Sequence, residues 1–118
     1  MIRPADIREW RNHDVVDLQG HKIGTLEAVY VDTATDEPAV ATVRIGLPTR
    51  QRLVFVPLDD AVLGPGYVRV SHDRADVKKA PSIGTDDILP AEQEEPIFQH
   101  YGMEYRQGVG GERRLARR

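Results

Sequence analysis

Between Asp14 and His72 the chain runs through short apolar segments at close spacing: DVVDL, KIGTLEAVYVD, AVATVRI, RLVFVPL and YVRVSH. Turn formers stand between them: QGHK, the TDEP of the second connection, GLPTRQ and DDAVLGPG. Strands this short, rich in Val, Ile, Thr and Tyr and punctuated by Gly and Pro, fold as a small β-barrel or sandwich. In AVATVRI, Ala41, Val43 and Ile45 share one face, and Val40, Thr42 and Arg44 the other. RLVFVPL is apolar on both faces and ends at Pro57, which suits an edge or a strand end. In YVRVSH, Val68 and Val70 point inward. Gly24 inside the second segment signals a bulge or a sharp bend.

The pattern changes before and after this region. RPADIREW opens with a proline suited to a first helical turn, and Ile7 and Trp10 share a face, so residues 1–11 are expected to form a short helix. Trp10 is read as a core anchor. SHDRADVKKAP is read as a helix that Asp73 can cap, with Val77 and Ala80 inward and Pro81 as its stop. A further helix begins near Gln93, with Pro96 in its first turn. Its stripe is Ile97, Phe98 and Tyr101, and Gly102 takes the left-handed position that ends it. That stripe has to dock, either on the open side of the barrel or on another copy of the chain.

The 118 residues suffice for one domain with a modest core. Charge is unevenly placed along them. Residues 106–118, RQGVGGERRLARR, contain five arginines and one glutamate, a charge of +4. Against a net charge of −3, the other 105 residues therefore carry −7. On composition the glycine-rich segment is expected to be mobile, and Arg113, Arg114, Arg117 and Arg118 would share one face if it were helical. Such a face could meet nucleic acid, anionic lipid or an acidic protein surface.

Several chemistries find no support. Cysteine is absent, which removes disulfides, thiolate metal sites and a cysteine nucleophile and fits a cytoplasmic protein. His13, His21, His72 and His100 stand singly near the ends of separate elements, without the spacing of a metal centre. Ser71 and Ser82 lie in no nucleophile elbow. No phosphate loop or dinucleotide fingerprint occurs, so no cofactor is expected. The acidic run VDTATDEPAV begins like a calcium loop at Asp32. It then has Ala34, Glu37 and Val43 where such a loop wants Asp or Asn, Gly and Glu. It reads instead as a hairpin connection, with Thr35 and Asp36 bonding locally to the backbone and Pro38 setting the return. No apolar run approaches the length of a membrane span, and the N-terminus lacks the apolar core of an export signal.

The order of the landmarks Asp17, Gly20, Ile23, Gly24, Asp32, Val56-Pro57-Leu58 and Ala80-Pro81 resembles the PRC-barrel family over residues 12–81. The later IFQHYGM resembles the extension of stand-alone bacterial members, and 13 arginines to 3 lysines fit a GC-rich bacterial genome. The resemblance implies a small antiparallel β-barrel with added helices, used for protein contact and without a shared catalytic set. The expected organisation is an N-terminal helix (1–11), the barrel (12–81), a helical extension (82–105) and a basic tail (106–118). The expected function is a non-enzymatic, self-associating adaptor. Its partner-binding residues would be Ile97, Phe98, Tyr101, Arg113, Arg114, Arg117 and Arg118. The alternative is a nucleic-acid- or ribosome-associated accessory protein that uses the arginine tail.

Overall fold

The computed structural model describes residues 9–33, 35, 37–47, 49–80, 82–83, 94–103 and 115–117. The first eight residues, which contain most of the expected N-terminal helix, lie outside that set, as do Pro81, Asp36 and residues 104–114. The fold is mainly β. Its strands are β1 (Asp14–Val16), β2 (Lys22–Asp32), β3 (Pro38–Leu47), β4 (Arg50–Pro57), β5 (Val62–Gly64), β6 (Tyr67–Arg69), β7 (Ser82–Ile83) and β8 (Leu115–Arg117). Two short helices accompany them, α1 (Arg74–Lys78) and α2 (Glu94–His100).

The strands form one sheet in the order β5-β6-β1-β2-β3-β4-β7, with β8 joining β2 off this path. The expected antiparallel pairing needs one correction. β1 runs parallel to β6, with Asp14 opposite Tyr67 and Val16 opposite Arg69, so the sheet is mixed. The cause is the connection after β4, which makes no hairpin: Leu58–Ala61 is a turn closed by the Ala61 N–H donating to the Leu58 carbonyl. It carries the chain from near one end of the sheet to the other. Five strand steps separate β4 from β5 along the sheet, about 24 Å if flat. The four linking residues reach at most about 18 Å. The sheet therefore curls, and Val68 and Val70 join Val54 and Val56 in one core. Among the described residues no ladder joins the two ends of the path, so the curl is not closed into a hydrogen-bonded barrel.

β2 shows how the sequence accommodates this curvature. Leu26, Val29 and Val31 all face the inner core, which strict alternation forbids. The register explains it: Leu26 is opposite Val43 and Ala28 opposite Thr42, so Glu27 is an extra residue that flips the parity. Glu27 is buried at 9% exposure, and its carboxylate is held by the Arg44 guanidinium and by Arg11 at 3.3 Å. A second irregularity at Ile23 follows from Val15 facing Gly24 and Val16 facing Lys22. The bend expected at Gly24 is therefore real. A Cβ at Gly24 would lie 2.2 Å from the Arg44 carbonyl oxygen, so two backbones meet there with no room for a side chain. The GLPTRQ segment is less of a loop than its composition suggests: β3 continues to Leu47 and β4 starts at Arg50, with Leu47 opposite Arg50.

The acidic hairpin behaves as a connection. The Asp32 N–H donates to the Glu37 carbonyl at 2.8 Å, and the Glu37 N–H donates to Thr35 Oγ1 at 3.3 Å. Val31 then faces Pro38 at the first ladder position of β3.

Gly24→Ala is expected to destabilise the fold by about 1–3 kcal/mol, the usual cost of forcing a group into a filled space. Urea unfolding monitored by circular dichroism measures it; an unchanged midpoint would contradict the close approach of β2 and β3.

Candidate interaction surface

Asp17 organises the end of the sheet where β1 turns into β2. Its side chain is fully buried. Oδ1 accepts the backbone N–H of Gln19 at 3.0 Å and of His21 at 2.9 Å. Oδ2 accepts the N–H of Arg74 at 3.4 Å and lies 3.5 Å from His21 Nδ1. Arg74 is the first residue of α1. Asp73 occupies the N-cap position as expected, but its side chain makes no capping bond. A carboxylate 57 residues upstream takes one of the orphan amides instead. Burial works to raise the Asp17 pKa, but the amides of His21, Gln19 and Arg74, then the His21 charge, outweigh it and hold the carboxyl below its ordinary 3.8.

The outer face of the sheet carries a second apolar cluster: Tyr30 of β2, Val40 of β3 and Phe55 of β4, joined by Ile97 and Phe98 of α2 and Leu115 of β8. The expected helix begins at Glu94, places Pro96 in its first turn and ends as anticipated, with Gly102 at φ 69°. The Met103 N–H donates to the Phe98 carbonyl at 2.8 Å and the Gly102 N–H to that of Gln99 at 3.0 Å. This is a Schellman end, and Met103 packs into the cluster that holds Phe98. The stripe assigned to a partner is thereby used inside the chain: Ile97 is fully buried and Phe98 is 8% exposed. Tyr101 is half-buried, and its hydroxyl donates to the Phe55 carbonyl. Burial, then the nearby Asp76 carboxylate, raises its pKa.

Of the four arginines singled out from the sequence, Arg113, Arg114 and Arg118 lie outside the described residues. Arg117 belongs to a strand, not to a helical face: β8 pairs antiparallel with β2, Tyr30 opposite Arg117, Val31 opposite Ala116 and Asp32 opposite Leu115. Leu115 is 2% exposed, so in its described part the expected free tail is anchored to the sheet. β7 likewise joins the sheet beyond residue 81, through Leu53 and Val54 of β4.

A polar cluster at the α1–α2 junction invites a catalytic reading that its wiring does not support. His72 Nε2 lies 2.9 Å from Asp59 Oδ1, but Ser71 Oγ donates to the Asp59 carbonyl at 2.9 Å. A serine nucleophile needs its hydroxyl on the imidazole, and this one points to the aspartate residue. The His72 and His100 rings both meet Tyr101 edge-on at 4.8 Å, and His100 Nε2 contacts the Asp76 carbonyl at 2.7 Å. These contacts tie the end of α2 to α1 and the β6–α1 turn. Among the described residues, no three His, Asp or Glu side chains converge to hold a metal, and no helix is long and apolar enough to cross a membrane.

Among the described residues, the β5 end of the sheet is left uncovered. Val62 is 45% exposed and Leu63 39%, on a strand paired only with β6 along the sheet path. Val62 faces Arg69, which faces Val16, and Leu18, at 60% exposure, lies two residues beyond Val16. Sequence reasoning named no residue here, because isolated exposed apolar residues are unremarkable until the sheet order puts them at one edge.

A family model of the PRC-barrel domain matches residues 5–77. The chain belongs to the PRC-barrel domain family, whose domain is a small and generally non-catalytic module. No curated protein matches the chain. The family landmarks acquire physical roles here: Asp17 gathers backbone amides, Gly24 admits the Arg44 carbonyl, and the Val56-Pro57-Leu58 triplet ends β4 inside the core.

Asp17→Asn is expected to cost about 1–3 kcal/mol near neutral pH, the range for a buried charged acceptor that loses its charge. Because the folded pKa is depressed, the stabilisation is complete above 3.8 and is lost as pH falls through the folded value. Urea titrations across pH should therefore show the gap between wild type and variant closing in acid; a gap that stays constant below 3.8 would contradict the role given to the charge.

Proposed function

We propose that the protein is a non-enzymatic, cytoplasmic interaction module of the PRC-barrel type that associates with a second copy of itself, in the manner of an adaptor. The observation that carries this reading is the β5 edge, with Val62 and Leu63 exposed on a strand that ends the sheet path. An edge strand offers unpaired backbone groups as well as apolar side chains, and both are satisfied when another strand adds to it. A second copy fits the charge pattern. Antiparallel pairing centred on Leu63 sets the exposed Asp59 and Asp60 of the two copies at opposite ends, so like charges do not meet. Closure by a two-fold axis is also the commonest outcome for a self-complementary edge. With the α2 stripe buried within the chain, the strand edge is the better-supported route to association. The acidic body and the anchored Leu115 favour a protein partner over a nucleic acid.

Sedimentation equilibrium at micromolar concentration should give about twice the 13.3 kDa chain mass. Replacing Val62 and Leu63 by Lys should shift the equilibrium towards the single-chain mass with an unchanged thermal melt. A wild-type protein that stays at 13.3 kDa across the concentration range would sink the self-association reading.

A further inference from the structure

The edge of β2 opposite β3 is shared by two short segments. β1 takes Lys22–Thr25, and β8 takes Tyr30–Asp32. The second contact is a site with defined parts. It offers three ladder positions, an apolar seat built from Tyr30, Val40, Phe55, Ile97 and Phe98, and the acidic β2–β3 hairpin at its entrance. Leu115 fills the seat at 2% exposure and pairs opposite Asp32, and in the sequence it follows Arg113 and Arg114.

The resident is also weakly tied. Among the described contacts, three paired residues and the buried Leu115 side chain hold β8, a short ladder that belongs at the low end of local stability. Residues 104–114, with Gly108, Gly110 and Gly111, connect it to α2. Between Met103 and Leu115 the chain can span about 40 Å, against molecular extents of 39 × 30 × 25 Å. The same linker that returns β8 to its own β2 is long enough to deliver it to a neighbouring molecule.

We propose that the Tyr30–Asp32 edge is a strand-addition site for an extended Leu-Ala-Arg segment flanked by arginines, occupied in turn by the chain's own C-terminal strand and by that of a second copy. The site is distinct from the β5 edge and stands whether or not that edge pairs. Recognition has two components. Backbone pairing with the leucine seat gives register. The −7 body facing a +4 segment gives an attraction that salt screens. Reciprocal exchange of β8 between two copies closes on itself through a two-fold axis, with no contact that the single chain lacks.

The test uses the full-length chain and an N-acetylated peptide of residues 113–118, RRLARR. Leu115→Asp empties the seat in the intact protein; Leu115→Ala is the gentler variant should the first fail to fold. Titration of the labelled protein by NMR should show saturable shifts at the amides of Tyr30–Asp32. The peptide should bind the variant on the order of tenfold more tightly than wild type, where the tethered resident competes at millimolar effective concentration. A peptide carrying the same L115D change should leave those amides unmoved. Two results would overturn the proposal: no saturable shift at Tyr30–Asp32 with a folded variant, or equal responses to the two peptides, which would reduce the contact to charge alone.

Discussion

Everything else in this molecule is arranged around β2, a strand of eleven residues buried along most of its length on both faces. A strand with two apolar faces cannot sit at a half-solvated sheet; each face needs a cover. On the inner side the curled sheet supplies it, by bringing β6 and α1 over β2, β3 and β4. On the outer side Tyr30, Val40 and Phe55 would face water, and the C-terminal third of the chain supplies the cover through α2 and β8. The residues after the PRC-barrel match at 5–77 thus complete the packing. Burying Ile97 and Phe98 against this face is worth about 1.5–3 kcal/mol each, enough to hold a seven-residue helix that would not form alone.

The same constraint explains what could be read from the sequence. β3 alternates cleanly, so its two faces were legible: Ala41, Val43 and Ile45 face the inner core, while Val40 faces the outer one; β4 is apolar on both faces, and nothing in its pattern marks Phe55 as outward and Val54 and Val56 as inward. Trp10, Val77, Ala80 and the Gly102 helix end were legible for local reasons of their own. β2 was less so, because the extra residue at Glu27 shifts its parity, and a bulge that depends on the partner strand leaves no mark in its own strand. The parallel pairing of β1 with β6 was illegible for a similar reason. It depends on a four-residue turn that crosses the sheet instead of reversing, and turn composition does not encode that choice.

The candidate surface was legible only in part. The stripe Ile97, Phe98 and Tyr101 was visible as something that must dock, but periodicity shows that a face is apolar, not what covers it. Composition gave Leu115 and Arg117 the look of a solvated tail. A single leucine among arginines carries too little signal to announce a buried anchor, yet Leu115 is one. The β5 edge was hidden for another reason: Val62 and Leu63 stand in DDAVLGPG, which reads as a turn, and only the fold makes them a strand and puts it at a boundary.

α2 covers the outer face of its own sheet. Hydrogen exchange read at the Gly102 and Met103 amides tests this, since those protons are held by the Gln99 and Phe98 carbonyls only while the helix end is formed. Protection should be the same in dilute and in concentrated protein, because the cover is supplied within the chain. Protection that appears only as concentration rises would show that α2 docks on another molecule, and would contradict that cover.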